Sequence, residues 1–454
     1  NSFIILFLIF HLSQSRFLAD ENASKVEIKF SKESGFYNNE FELTLSSSDD
    51  SKIYYTTDGS DPANSQSSKE YSGPIKIKDR TQEPNLYSAY DENDSSPTSI
   101  CRGIGYKKPP FNVEKGMIVR AIAKSSNGNS KIFQHTYFVT TGDLSKFSDF
   151  TIVSLVTNPD NLFDPNKGIY VTGNQYLEWK KNGGNQNKSP WDTDNACNYF
   201  MKGSEWEREA YIEIFEKGTV TIQENVGIRI KGSSTRNASQ KSFNIYAKKK
   251  YGNTVIKSDT LFPDNKDNQG NSINAYDSFS LRGIPDEVRS RDQFSRRFIK
   301  DRTLQSTTNM KNSYLFLNGE FWGLYVITEK YSNKFFADHY NLKEDDIVYM
   351  KEGDPKGNSE DETNKLMEFI KLNAHKDLSD SNNYKEVSEV IDLDSLIEHY
   401  ATGLFLAIYD WPNHNYGFWR SKGNKVEGNL FSDGKWRVMT YDLDYTMGKT
   451  YDDF

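Results

Sequence analysis

Val226-Gly227-Ile228-Arg229-Ile230-Lys231 and Ser242-Phe243-Asn244-Ile245-Tyr246, separated by Gly232-Ser233-Ser234-Thr235 and with Lys241 at the head of the second run, decide how the C-terminal two thirds of the chain is read. Both runs alternate apolar and polar side chains, the period of a half-buried strand. A glycine- and serine-rich turn between two strands can lay backbone N–H groups over phosphate oxygens, and a nearby lysine can neutralise them. By itself Lys241, close to Lys248, Lys249 and Lys250, also reads as a solvated strand lysine.

Outward from this pair, the pattern stays mixed. Asp292-Gln293-Phe294-Ser295-Arg296-Arg297-Phe298-Ile299 puts Phe294 and Phe298 on one helical face. Tyr314 to Leu317 and Trp322 to Val326 flank Asn318-Gly319, a pair that favours a primed hairpin turn. Leu393 to Leu406 reads as a buried helix capped by Asp392 or Asp394. The segments 182–195 and 259–274 are too polar to pack and read as surface loops. Upstream, Val26 to Phe30, Phe41 to Leu45, Lys52 to Thr56, Pro74 to Ile77 and Ile118 to Ile122 alternate with period two between turns such as Asp58-Gly59-Ser60-Asp61-Pro62. They predict a small antiparallel sandwich over residues 24–140. Thr140-Thr141-Gly142-Asp143 reads as a linker to an α+β domain over 150–454. Within the sandwich, Tyr54 and Tyr55 fall on opposite strand faces, one toward the core.

Three polar groups recur where regular elements end. Lys241 follows the Gly-Ser-Ser turn, Asp410 follows the apolar helix, and Asp442 follows the strand Trp436-Arg437-Val438-Met439-Thr440-Tyr441. In Asp410-Trp411-Pro412-Asn413-His414-Asn415 an Asp precedes an Asn by five residues, the spacing of a protein-kinase catalytic loop. There the Asp accepts the proton of the attacking hydroxyl and the Asn binds magnesium, while an acid at a strand end supplies the other metal ligand. Neither Asp-Phe-Gly nor Gly-x-Gly-x-x-Gly occurs, which excludes an ordinary protein kinase. His414 reads as a loop residue, and Trp411 and Trp419 as core.

Two resemblances sharpen this. Ile53 to Pro62, Tyr71-Ser72-Gly73-Pro74-Ile75, Arg120 to Ala123 and Thr136 to Val139 resemble the C-terminal accessory domain of the chitobiase/β-hexosaminidase family, which implies an immunoglobulin-like, non-catalytic module. Gly227 to Ser234 with Gln240-Lys241-Ser242-Phe243, Phe316 to Tyr325, and Tyr441-Asp442-Leu443-Asp444 resemble the CotH family, kinase-like proteins first known from spore coats, and Gly203 to Ala210 fits its Trp-Glu-Arg stretch. The resemblance implies an atypical protein-kinase-like fold, with ATP and Mg2+ as cofactors. It implies Lys241, with Gly232, Ser233 and Ser234, at the ATP phosphates, Asp410 as the catalytic acid, and Asn415 and Asp442 as metal ligands. Glu329 ends a strand that should lead to the adenine hinge, and no acid is identified as the partner of Lys241. The expected activity is transfer of the γ-phosphoryl group to Ser or Thr of an extracellular or coat protein. The alternative is an adhesin or structural protein that uses the fold to bind glycans or host surface proteins. A third reading, a glycosidase, would use Asp442 and Asp444 as i, i+2 carboxylates on one strand face.

Composition bounds these readings. The chain has 454 residues, 35% hydrophobic and 14% aromatic, enough for more than one core, which excludes global disorder. Lys and Arg number 56 against 64 Asp and Glu, a net charge of −8, so no whole-chain field favours nucleic acid or anionic lipid. Two cysteines and no HExxH argue against structural zinc. Phe3 to Phe10, apolar and closed by Ser13-Gln14-Ser15-Arg16, reads as a secretory signal over residues 1–19 rather than a membrane span, so the protein is expected to be secreted. Asn22, Asn93, Asn187 and Asn237 then stand in glycosylation sequons, and Cys101 and Cys197 could pair. With no helical run after Asp442, the kinase-like domain is expected to continue past Phe454.

Overall fold

The computed structural model describes residues 26–49, 51–89, 96–101, 108–126, 128–140, 149–185, 192, 195–283, 290–412 and 414–448. The expected signal segment, most of the linker and the sequons at Asn22, Asn93 and Asn187 lie outside them. Two compact units divide the chain. One holds the described residues up to Phe243 with Lys250–Gly252 and Ser313–Tyr325; the other holds Asn244–Lys249, Asn253–Asn312 and the described residues from Val326 on.

The first unit opens with β1 (Ile28–Phe30), β2 (Gly35–Tyr37), β3 (Phe41–Leu43), β4 (Leu45–Ser47), β5 (Lys52–Thr56), β6 (Lys69–Glu70), β7 (Ile75–Ile77), β8 (Met117–Ser125), β9 (Gly128–Asn129) and β10 (Phe133–Val139). The main sheet runs β2-β10-β8-β5-β6, with β9 on β8, beside the ribbons β1-β4 and β3-β7. Inward side chains of the alternating runs, Ile28, Leu43, Leu45, Ile53, Ile75, Ile77, Val119 and Tyr137, form one core. The expectation of a wholly antiparallel sandwich is corrected at one edge, where β2 runs parallel to β10 with Gly35 opposite Tyr137. Tyr55 packs against the core. Tyr54 faces out and donates to Glu70 under Lys124.

The next elements are β11 (Thr151–Val156), α1 (Pro159–Phe163), α2 (Asn174–Lys181), β12 (Arg208–Glu216), β13 (Thr219–Lys231), β14 (Ser242–Tyr246), β15 (Ile256–Lys257), β16 (Ala275–Tyr276), β17 (Ser278–Gly283), α3 (Ser290–Arg302), β18 (Met310–Leu317) and β19 (Glu320–Glu329). Seven of these strands close a barrel in the order β11-β12-β13-β14-β17-β19-β18. Closure depends on a parallel pair, β11 on β18, between residues far apart in sequence. The hairpin turn is as expected, with Asn318 and Gly319 at φ of 47° and 83°.

Compactness does not divide the chain near residue 140, because both sides of that point share buried groups. Phe138 packs with Ile152, Phe215 and Phe316. The fully buried Glu213 carboxylate accepts from Ser34 Oγ at 2.5 Å, from Gln223 Nε2 at 3.0 Å and from Thr136. Glu320 accepts the backbone N–H groups of Tyr87 and Ser88 at 2.9 and 2.8 Å.

The second unit contains α4 (Asn333–Tyr340), β20 (Ile347–Lys351), β21 (Asp354–Lys356), α5 (Glu360–Asn373), α6 (Ser381–Val390), α7 (Leu393–Phe405), β22 (Tyr416–Ser421) and β23 (Arg437–Thr440). An antiparallel sheet of order β21-β20-β22-β23 carries apolar clusters around Phe336 and Trp419, and around Met350, Leu366 and Trp436. Asp392 caps α7 by accepting from Ser395 N. That helix is not the buried one expected, since Ile397, Leu404 and Phe405 are exposed. Its inward side carries Ser395, His399, Thr402 and Gly403 instead.

Candidate functional site

The second-unit sheet positions Asp410, Asn415 and Asp442. β22 begins at Tyr416, β23 ends at Thr440, and Tyr416 and Thr440 are cross-strand partners, so the residues just outside leave from neighbouring strand ends. Tyr441 Oη donates to the Tyr416 carbonyl at 3.1 Å and ties the ends together. Asn415 donates Nδ2 to Asp410 Oδ2 at 2.6 Å. Asp410 Oδ1 is buried and has no hydrogen-bond partner among the described residues. Burial first, and then the charge of Asp442, push the Asp410 carboxyl above the usual carboxylate range.

The loop is clamped from both sides. Tyr409 N donates to Tyr445 O at 2.9 Å and Met447 N to Leu406 O at 2.6 Å. Trp411 is half-buried rather than core and donates Nε1 to His399 Nε2 at 2.7 Å. Its ring lies against Gly403, where an added Cβ would come within 3.1 Å of it. Burial holds the His399 imidazole down to about 4, so it stays neutral and accepts that bond. Trp419 is core, as expected, and His414 is exposed.

Asp442 and Asp444 do not sit on a strand face. The strand ends at Thr440, Asp442 takes a left-handed backbone with φ 58°, and both carboxylates turn to one guanidinium. Arg282 Nη2 lies 2.6 Å from Asp442 Oδ1 and 2.8 Å from Asp444 Oδ2, while its Nη1 contacts Asp292. Arg296 Nε and Leu443 N reach the other Asp292 oxygen at 2.6 and 3.1 Å. Burial and the adjacent Asp442 push the Asp444 carboxyl up to about 7, although Arg282 opposes the shift. The two arginines hold Asp292 down to about 2 against its burial. The sequence reading missed Arg282, Asp292 and Arg296. Their spacing from Asp442 carries no local motif.

In the first unit, Gly232 and Ser233 form an exposed turn with Ser234 half-buried. Gly232 has φ 114°, and a Cβ there would meet Thr235 Oγ1 at 2.4 Å. Lys241 is not a solvated lysine. It is fully buried, its Nζ donates to the carbonyls of Arg236 and Ala238 at 2.7 and 2.9 Å, and it lies 3.9 Å from the Tyr199 ring centroid. Burial brings its ammonium down to about 7, partly offset by Cys101 and Cys197. Both cysteines are buried in this same unit. The Asn237 side chain is fully buried and accepts from Tyr199 Oη at 2.5 Å.

Glu329 is buried in the second unit, where His339 Nε2 and Asn265 Nδ2 contact its Oε1 at 2.8 and 2.7 Å. It lines a shallow pocket with Tyr276, Asp277, Lys330, Phe335 and His339.

The model of the family described as CotH kinase protein matches residues 228–453. The C-terminal part of the chain therefore carries a CotH domain, and this domain contains Lys241, Asp410, Asn415 and Asp442. A second model, described as Fn3 associated, matches residues 41–137, the β-rich part of the first unit. The accessory part is thus similar to a family of another description than the chitobiase type expected from its tyrosine-rich strings. No curated protein matches the chain. Among the described residues no helix is long and apolar enough to cross a membrane.

Proposed function

We propose that the CotH domain transfers the γ-phosphoryl group of ATP to Ser or Thr hydroxyls of an extracellular or coat protein, with Mg2+ as the accompanying ion. The observation that carries this reading is the Asp410–Asn415 pair, in which one carboxylate oxygen is fixed by the amide and the other, Oδ1, is buried and unpartnered among the described residues. A carboxylate held this way and pushed above its usual range is suited to accept the proton of an attacking hydroxyl at Oδ1. Magnesium takes hard oxygen ligands, and Asp442 and the Asn415 carbonyl oxygen are such donors, so the residues present fit the ion while Asp410 Oδ1 is left for the proton. Bound, it would neutralise charge on the phosphate oxygens. No three His, Cys, Asp or Glu side chains among the described residues are arranged as a ready chelate, so loading calls for some rearrangement. The exposed turn Gly232-Ser233-Ser234 offers backbone donors for phosphate, and Lys241 is the cation that the resemblance adds to them. Glu329, which ends the strand that should lead to the adenine hinge, lines the pocket described above, and this supports the reading.

One observation favours the second reading, a secreted scaffold or adhesin with weak catalysis: the Lys241 ammonium is engaged by two backbone carbonyls. Incubation with γ-labelled ATP, with and without Mg2+, separates the two. Label on a Ser- or Thr-containing acceptor, or on the protein itself, only with Mg2+ supports the kinase. No label under either condition, with the protein folded, leaves the scaffold.

A further inference from the structure

We propose that Asp444 is a second carboxylate of the cation site and that the Arg282 guanidinium is an internal cation which must leave Asp442 and Asp444 when a divalent ion binds. This rests on the magnesium part of the proposed function. Two carboxylate oxygens from a three-residue stretch converge on one nitrogen, Arg282 Nη2, at 2.6 and 2.8 Å. Magnesium holds its oxygens at about 2.1 Å, so each oxygen has to close by only roughly half an ångström or a little more around an ion placed where that nitrogen stands. Arg282 therefore marks the position and blocks it.

The opposite end of the guanidinium is anchored in the interior. Asp292 is 5% exposed on its side chain, against 49% for Asp442 and 26% for Asp444. Asp292 is also held by Arg296 and by Leu443 N, so it keeps its partners if Arg282 swings, and Arg282 keeps Asp292.

The test is titration of the full chain with Mn2+ alone, without nucleotide, followed by the electron-spin resonance signal of the free ion. Asp444→Asn should weaken Mn2+ binding by about tenfold through loss of one anionic ligand, and Arg282→Gln should tighten it by about tenfold through loss of the competitor. Arg282→Lys, which keeps a charge but cannot bridge both acids, should fall between Arg282→Gln and the parent. If Arg282→Gln does not fold, Asp444→Asn, nearly isosteric and still leaving Arg282 its contacts to Asp292 and Asp442, decides alone. Native affinity in Asp444→Asn, or in a folded Arg282→Gln, overturns the inference while leaving the kinase reading intact. A native protein that binds no Mn2+ overturns the metal part of both.

Discussion

Asn415, just before Tyr416, and Asp442, two residues past Thr440, flank neighbouring strand ends, since Tyr416 and Thr440 are cross-strand partners, and both take a positive φ, of 60° and 58°. Asn and Asp are the non-glycine residues that enter this region most readily, so the backbone needs no glycine at either point. The bends before β22 and after β23 turn an amide and a carboxylate out of the sheet. Asp410 joins the pair through its bond to Asn415 and its electrostatic coupling to Asp442.

Asp410→Asn should leave ATP affinity nearly unchanged and lower the rate of phosphoryl transfer by about 10²–10⁴, the usual contribution of a general base. Asp442→Asn should instead abolish Mg2+-dependent ATP binding. Single-turnover transfer and calorimetric ATP titration, run on both variants, check the division. Parental transfer by Asp410→Asn removes it from the chemistry.

Lys241 should make stability depend on pH in a definite direction. Its folded-state value near 7 lies below the ordinary lysine value, so between those two values the unfolded chain binds more protons than the folded one. Stability from this group therefore rises as pH increases from about 7 toward 10.5 and is lost as pH falls. Lys241→Met removes the titrating group, and the difference in urea midpoint between parent and variant should widen in the parent's favour across that window. A constant difference would mean that the ammonium is not desolvated. The same variant tests the phosphate role: loss of a phosphate contact raises KM for ATP, whereas a purely internal lysine leaves the ATP titration unchanged in the fraction that is folded.

Local chemistry made part of this architecture legible. The strands Lys52–Thr56 and Ser242–Tyr246 fall where their alternation puts them, Asn318-Gly319 makes the primed turn, and Asp392 caps the helix that begins at Leu393. What stayed hidden depends on distant partners. Nothing near Thr151 announces that it will pair in parallel with Ser313 and close a barrel. Nothing near Arg282 marks it as the partner of acids 160 and 162 residues away. Lys241 shows the same limit from the other side, because three neighbouring lysines made it look solvated, whereas Tyr170, Tyr199 and a reversing chain bury it.

Asn237 should remain unglycosylated when the protein is made in a eukaryotic secretory system, although it stands in a sequon. Its side chain is fully buried with Oδ1 held by Tyr199, a site with no room for a sugar. Asn237→Gln should cost about 1–3 kcal/mol through the broken buried bond. Peptide mass mapping of folded, secreted protein would refute the burial if it found the site occupied.

Deleting the residues before 141 should not yield a folded CotH domain. If residues 24–140 and 150–454 were separate domains, the truncated chain would be soluble, each part having its own core. The first unit is built otherwise. Removing Ser34 and Thr136 strips hydrogen bonds from Glu213, a fully buried carboxylate whose burial already pushes it above its usual range, and leaving such a group unsatisfied costs about 1–3 kcal/mol or more. Loss of Phe36 and Phe138 uncovers Phe215 and Phe316, and at about 25 cal/mol per Å2 two uncovered aromatic faces cost several kcal/mol more. Glu320 also loses the N–H groups of Tyr87 and Ser88. Against a typical stability of about 5–15 kcal/mol, the sum is enough to unfold the first unit. Expression of residues 141–454 should give aggregated or dye-binding protein without a cooperative melt. A soluble fragment with a sharp transition would show that these contacts are dispensable. Replacing Glu213 with Gln in the full chain, which keeps the donors but removes the charge, should be tolerated far better than the deletion.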